Sequence, residues 1–150
     1  MTQPQLDAYL IRCTDLIAKN GWMIQGVFPT QDDPDHMAFS YTVGLSEKNK
    51  PELYLDTLGP NQGTAILNAC AKAVAGGIVP LHGDTLDVEF SVPFRWHGPI
   101  DSDKAEMNMA RRFYGEIEAW QVLWPDTEDR YPGDDGYDAE RFPQRLMDLA

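Results

Sequence analysis

FSYTVGL, residues 39–45, carries the clearest two-residue period in the chain. Phe39, Tyr41, Val43 and Leu45 fall on one side of an extended strand, and Ser40, Thr42 and Gly44 fall on the other. Side chains alternate between the faces of a strand, so the pattern predicts a β-strand with one apolar face. The second face offers two hydroxyls and a bare backbone. It can line a ligand site, where Gly44 permits close backbone approach, or it can seat a closely packed helix.

Working outward, residues 4–20 repeat apolar side chains at helical spacing (Leu6, Leu10, Cys13, Ile17, widened by Tyr9 and Leu16), and Asn20-Gly21 ends the helix. WMIQGVF (22–28) reads as a strand in which Gly26 marks a bulge, and the Pro- and Asp-rich stretch 29–37 reads as a loop. After FSYTVGL, the polar link SEKNK (46–50) is too short for a crossover, so PELYLDTL (51–58) is an antiparallel partner through a hairpin-type connection. Gly59-Pro60-Asn61 opens a second helix, rich in small residues, that runs to about Ala75 before Gly76-Gly77. IVPL (78–81) is a short strand or turn, and TLDVEFSVPF (85–94) alternates like a strand with one wet face. Asp101-Ser102-Asp103 caps a third helix over 101–116, and AWQVLW (119–124) is the last strand. The remaining tail is mostly loop with one or two helical turns. The order αβββαββαβ gives an α+β class: one domain over 1–150, with a mostly antiparallel sheet, open or barrel-like, packed with two to three helices.

Charge narrows the function. Twelve basic side chains against 24 acidic ones give a net charge of −12. Such a body repels phosphate backbones and anionic lipid, which argues against nucleic-acid and membrane partners and suits a basic protein partner. The start, MTQPQLDAYL, lacks the basic and apolar runs of an export signal, no segment is apolar for long enough to span a bilayer, and the expectation is a cytoplasmic protein. Cys13 and Cys70 sit alone in helical, apolar patterns and read as small buried hydrophobes.

Familiar catalytic motifs are missing: there is no G-x-G-x-x-G, no Walker loop and no G-x-S-x-G elbow. The carboxylates of 124–138 do not follow calcium-loop spacing, and His36, His82 and His97 form no paired ligand motif, so no metal site is assigned. His36 stands beside Asp32, Asp33 and Asp35, which favours its charged form. No cofactor is indicated.

Two stretches together resemble a known family. FSYTVGL is followed after a polar gap by Pro51-Glu52-Leu53, and QVLWPD (121–126) is followed by Tyr131-Pro132 and Gly136-Tyr137. This layout, from about Gly21 to Gln144, resembles the DUF4262 family of small bacterial and phage proteins. Gly133 stands where that family often has an aromatic. The resemblance implies a fold and a motif layout and supplies no reaction.

The leading expectation is a small-ligand-binding domain. Its pocket would lie between the FSYTVGL strand, the 59–61 helix start and the Trp-Pro-Asp corner, using Tyr41, Thr42, Gly44, Gln121, Trp124 and Asp126. The rival is an acidic interaction module, such as an inhibitor, an immunity-type protein or a phage counter-defence factor. An enzyme of unassigned chemistry ranks third, since no catalytic constellation is visible.

Overall fold

The computed structural model describes residues 1–150. Helix α1 (Gln3–Asn20) starts at a capping box in which Thr2 and Gln5 bond reciprocally, and it stops where Gly21 turns left-handed. Strands β1 (Met23–Val27), β2 (Phe39–Val43) and β3 (Glu52–Asp56) form an antiparallel meander. Helix α2 (Pro60–Ala75) follows, then β4 (Thr85–Leu86), β5 (Phe94–His97), α3 (Asn108–Tyr114) and β6 (Ala119–Leu123). The sheet order is β1-β2-β3-β6-β5-β4. Only β3–β6 is parallel, so the α+β class with a mostly antiparallel sheet holds, and the sheet is open rather than closed into a barrel.

FSYTVGL lies near the middle of this sheet, and all five residues of β2 are buried. Phe39, Tyr41 and Val43 pack with Tyr54, Cys13 and Ile17 of α1, and Met107 and Ala110 beside and within α3. The opposite face carries α2, whose Ile66, Leu67, Cys70, Ala71 and Val74 pack on Leu53, Leu55, Trp96, Trp120 and Val122. The small face of β2 is therefore the seat of a helix. A Cβ on Gly63 of α2 would stand 3.2 Å from Ser40 Oγ, which shows how closely the helix lies. Leu45 departs from the alternation. Gly44 takes φ +130°, a Cβ there would meet the Trp22 backbone at 2.7 Å, and the turn delivers Leu45 to the α2 side.

Other expectations need correction. The 46–50 link is not a plain hairpin loop, because Leu45–Lys48 forms a 3-10 helical turn. Gly26 forms no bulge, since the β1–β2 register runs without a break from Met23↔Val43 to Val27↔Phe39. Residues 78–81 form no strand. The 85–94 strand stops after Leu86 because the chain leaves the sheet edge; Val88 and Val92 pack on the α2-side core instead, and Pro93 has no N–H to donate. FRWH (94–97) then forms β5, which the sequence reading did not separate. The third helix is shorter than expected. Asp101 Oδ1 accepts the Asp103 and Lys104 amides at 3.1 Å each, which caps a turn, and Glu106 at φ +57° blocks helical continuation. The tail forms no helix, only isolated turns such as the one closed by the Phe142 N–H on the Asp138 carbonyl at 3.0 Å; residues 144–150 lie extended on the sheet. No helix is long and apolar enough to cross a membrane.

Candidate functional site

The six residues singled out from sequence fall in three places. Tyr41 and Thr42 are neighbours on a strand and so face opposite layers. The Tyr41 hydroxyl accepts the Met109 N–H at 2.9 Å, and burial pushes its pKa up to about 12.

Thr42 and Gly44 belong to a knot around Glu52, which is fully buried. One carboxylate oxygen accepts from Thr42 Oγ1 at 2.8 Å and Leu45 N at 3.2 Å. The other accepts from Ser46 Oγ at 2.6 Å, Ser46 N at 2.9 Å and Gly44 N at 3.2 Å. Thr42 Oγ1 also accepts the Leu53 amide at 2.8 Å. Burial pushes the Glu52 pKa above the usual carboxylate range, while the Ser46, Thr42 and Gly44 hydrogen bonds pull it back. Every donor in the knot comes from β2, β3 or the connection between them, so the arrangement fixes that connection.

Gln121 lies in a polar row across the α1 face. Strand register aligns Tyr41, Tyr54, Gln121 and His97, with Asp56 beside Tyr54. The C-terminal segment covers this row. Arg145 donates from Nη2 to Asp56 Oδ1 at 2.7 Å and to the Tyr54 hydroxyl at 3.1 Å, and its backbone N–H reaches Asp56 Oδ2 at 2.7 Å. Gln121 donates to the Arg145 carbonyl at 2.6 Å and accepts the Met147 N–H at 2.8 Å. His97 Nε2 lies 2.7 Å from the Met147 carbonyl, so it carries the proton and donates. Burial, with a smaller push from His82, holds the His97 pKa below its ordinary value despite that bond. Beneath Leu146 and Leu149 a cavity of about 260 Å³ is lined by His82, Arg95, His97 and Asp134. There Arg95 grips both oxygens of Asp134, at 2.8 and 3.0 Å, and lies 4.1 Å over the Tyr131 ring.

Trp124 and Asp126 mark the corner after β6. Asp126 accepts the backbone N–H groups of Glu128, Arg130 and Asp138 at 2.9, 2.9 and 3.0 Å. Burial raises its pKa, but these bonds and the Arg130 charge outweigh it and leave the carboxyl below the ordinary range. Asp126 thus organises the acidic loop, and nowhere in the chain do three His, Cys, Asp or Glu side chains gather as metal ligands. His36 turns toward Glu106, at 3.6 Å, rather than toward its aspartate neighbours. Trp124 donates from its indole to the Asp56 carbonyl at 3.2 Å and forms one wall of a half-open cavity of about 410 Å³. The other walls are Leu58, Ile66, Phe90, Phe94 and Phe142, with Gln62, Ser91 and Arg141 supplying polar groups. Phe142 stands edge-on to Trp124, and Phe90 edge-on to Phe94.

Sequence reading missed Asp56, His97 and Arg145, and the aromatic partners of Trp124. One signal was present: Asp56 is the single charged residue inside the apolar run LYLDTL. Its partner lies 89 positions away, beyond any local pattern.

Fold and site together define a three-layer α+β domain, with an open mixed sheet and clefts at the start of α2 and under the terminal segment. The chain belongs to the family described as Domain of unknown function (DUF4262), whose model matches residues 16–138. No curated protein and no solved structure matches the chain.

Proposed function

We propose that this protein is a small-ligand-binding domain and that its site is the aromatic cavity between the start of α2 and the Trp124–Pro125 corner. The observation that carries the reading is the cavity itself: about 410 Å³, mostly apolar, with few polar groups at its rim. Sites for small molecules have this size and lining. A larger cleft of about 510 Å³ lies between α1 and α2, but Trp22 is its one aromatic wall. The paired edge-on rings favour a planar, largely apolar ligand, and Arg141 favours an acidic group at its outer edge. Trp124 is the contact residue among those expected from sequence. Gln121 and Asp126 hold the segments on either side, while Tyr41, Thr42 and Gly44 serve the framework. The free, buried thiols of Cys13 and Cys70 accord with a reducing cytoplasm.

Native mass spectrometry of freshly purified protein, followed by titration with anilinonaphthalene sulfonate, tests the proposal. The expected result is saturable one-to-one dye binding that quenches tryptophan emission. Gln62→Phe should abolish it by filling the cavity mouth, and Arg141→Ala should weaken it, with circular dichroism unchanged in both. An apo mass together with dye binding indifferent to both substitutions would defeat the proposal.

A second reading, an acidic module for a basic protein partner, draws on the net charge of −12. Such association would be steered electrostatically and weaken with salt.

A further inference from the structure

The terminal segment is held unlike any other part of the chain. Four backbone polar groups on alternate residues, the N–H and carbonyl of Arg145 and of Met147 (Leu146 between them turning outward), meet side chains of the sheet face: Asp56, Gln121 twice, and His97. The Gln121 amide bonds the carbonyl of one residue and the N–H of the residue two further on, as the edge of a neighbouring strand would. Reading main-chain groups in this way accepts any extended peptide, and side-chain pockets then add selectivity. Here the selective groups are the Asp56 carboxylate and the Tyr54 hydroxyl, which together take the Arg145 guanidinium. Two residues on, Met147 packs against the core of the α1 face. Leu146 and Leu149 remain 43% and 54% exposed, so little apolar burial ties the segment down.

Three facts separate this face from its occupant. Asp56 and Gln121 are fully buried polar groups, and the terminal segment supplies both Gln121 partners and the cation on Asp56. Buried polar groups are paired, and here the extended main chain of residues 145–147 supplies that pairing, so another extended chain with the same groups fits the face. The family match ends at residue 138, so the strands that build the face lie within it and the segment filling it lies outside. Finally, the body carries a net charge of −12, which favours a basic incoming chain.

We infer that the face formed by Tyr54, Asp56, Gln121 and His97 recognises an extended, arginine-bearing segment of a basic protein partner, and that residues 144–150 occupy it as a displaceable copy of that ligand. The fitting segment presents an arginine over Asp56 and an apolar side chain two residues later. A partner must displace the tethered segment, so binding is selective for chains that match it or are delivered at high local concentration.

The test inserts a specific protease recognition sequence between Phe142 and Pro143 of the full chain. Cleavage leaves the body folded around a tail that is now free to exchange. The probe is a fluorescein-labelled peptide, PQRLMDLA, followed by anisotropy. The cut protein should exchange its tail for the probe and saturate. The Arg→Ala peptide should bind about ten- to a hundredfold more weakly, as expected when a hydrogen bond to a charged group is lost. The uncut chain should bind the probe far more weakly, because its own tail competes at an effective concentration of about 1 mM. Indifference to Arg→Ala, or no exchange in a folded cut protein, overturns the inference. Amide hydrogen exchange on the uncut chain decides the case even if the cut protein unfolds. The Arg145 and Met147 N–H groups should exchange well before those of β6, and exchange only through global unfolding overturns the inference. A dimer with swapped tails at micromolar concentration would name a second copy as the occupant and also overturn it. Dye binding in the aromatic cavity, measured on the same samples, shows separately whether the small-ligand proposal stands.

Discussion

Strand β3 carries a fully buried carboxylate at each end, and the two are satisfied in opposite ways. Glu52 receives neutral donors from residues six to ten positions away, in the end of β2 and the turn that β3 itself closes. Asp56 receives a cation and a backbone N–H from a residue 89 positions away, outside the sheet. The first arrangement forms whenever the hairpin forms. The second keeps the Tyr54 and Thr57 hydroxyls when residues 144–150 leave, but loses its cation and its backbone N–H. A buried acid is costly to leave unpaired, so the difference predicts where the molecule is fixed and where it can exchange partners.

The comparison is exposed most severely by Glu52→Ala. It strands the Thr42 hydroxyl and several backbone N–H groups in the core, and should cost about 3 kcal/mol or more of global stability in urea denaturation. A loss within experimental error would show that the knot is not what holds the β2–β3 connection. Thr42→Val comes next, at about 1–3 kcal/mol, because the Leu53 amide loses its partner and the Glu52 oxygen loses the shorter of its two. Arg145→Met should cost less globally, about 1–2 kcal/mol, since water can reach Asp56 once the segment loosens. Its signature is local: amide exchange should rise at 144–150 and stay unchanged at β2 and β3. Equal spreading of the Glu52 and Arg145 effects through the whole sheet would erase the distinction.

The smallest expected effect is on pH dependence, and its sign differs between His97, under the terminal segment, and Glu52. The His97 pKa is depressed in the folded protein, so the unfolded chain binds more protons just below pH 6.5. Stability contributed there is present above 6.5 and lost as pH falls through the folded value. His97→Gln should flatten that limb, with His82, Arg95 and Asp134, which line the same cavity, left in place. The Glu52 pKa is raised, so its contribution is fullest below the unfolded value of 4.5 and declines as pH climbs through the folded one. Thermal melts of the wild type, His97→Gln and Glu52→Gln across pH 4 to 8 separate the two limbs.

The contrast also explains what could be read from sequence. Helix α1, the three-strand meander and α2 were legible because their patterns are local: period two in FSYTVGL, helical spacing in 4–20, glycine stops at 21 and 76. The region from 85 to 116 misled because Val88 and Val92 continue the alternation of Leu86, yet only Thr85 and Leu86 pair in the sheet while Val88 and Val92 pack beside it. Asp101-Ser102-Asp103 is a cap sequence, but it caps a turn. At the candidate sites, Trp124 and Gln121 stood out as neighbours in one motif. Asp56 and Arg145 did not, because what joins them is the sheet order, which places β6 beside β3.

That order has a consequence for how the molecule is made. β6 is the last strand in sequence yet sits inside the sheet, between β3 and β5. During synthesis the β1–β2–β3 meander is complete long before residue 119 emerges, and one edge of β3 waits unpaired. The nascent chain therefore passes through a stage in which two separate half-sheets await the strand that joins them, and chain arrest before Ala119 leaves an open edge that invites aggregation.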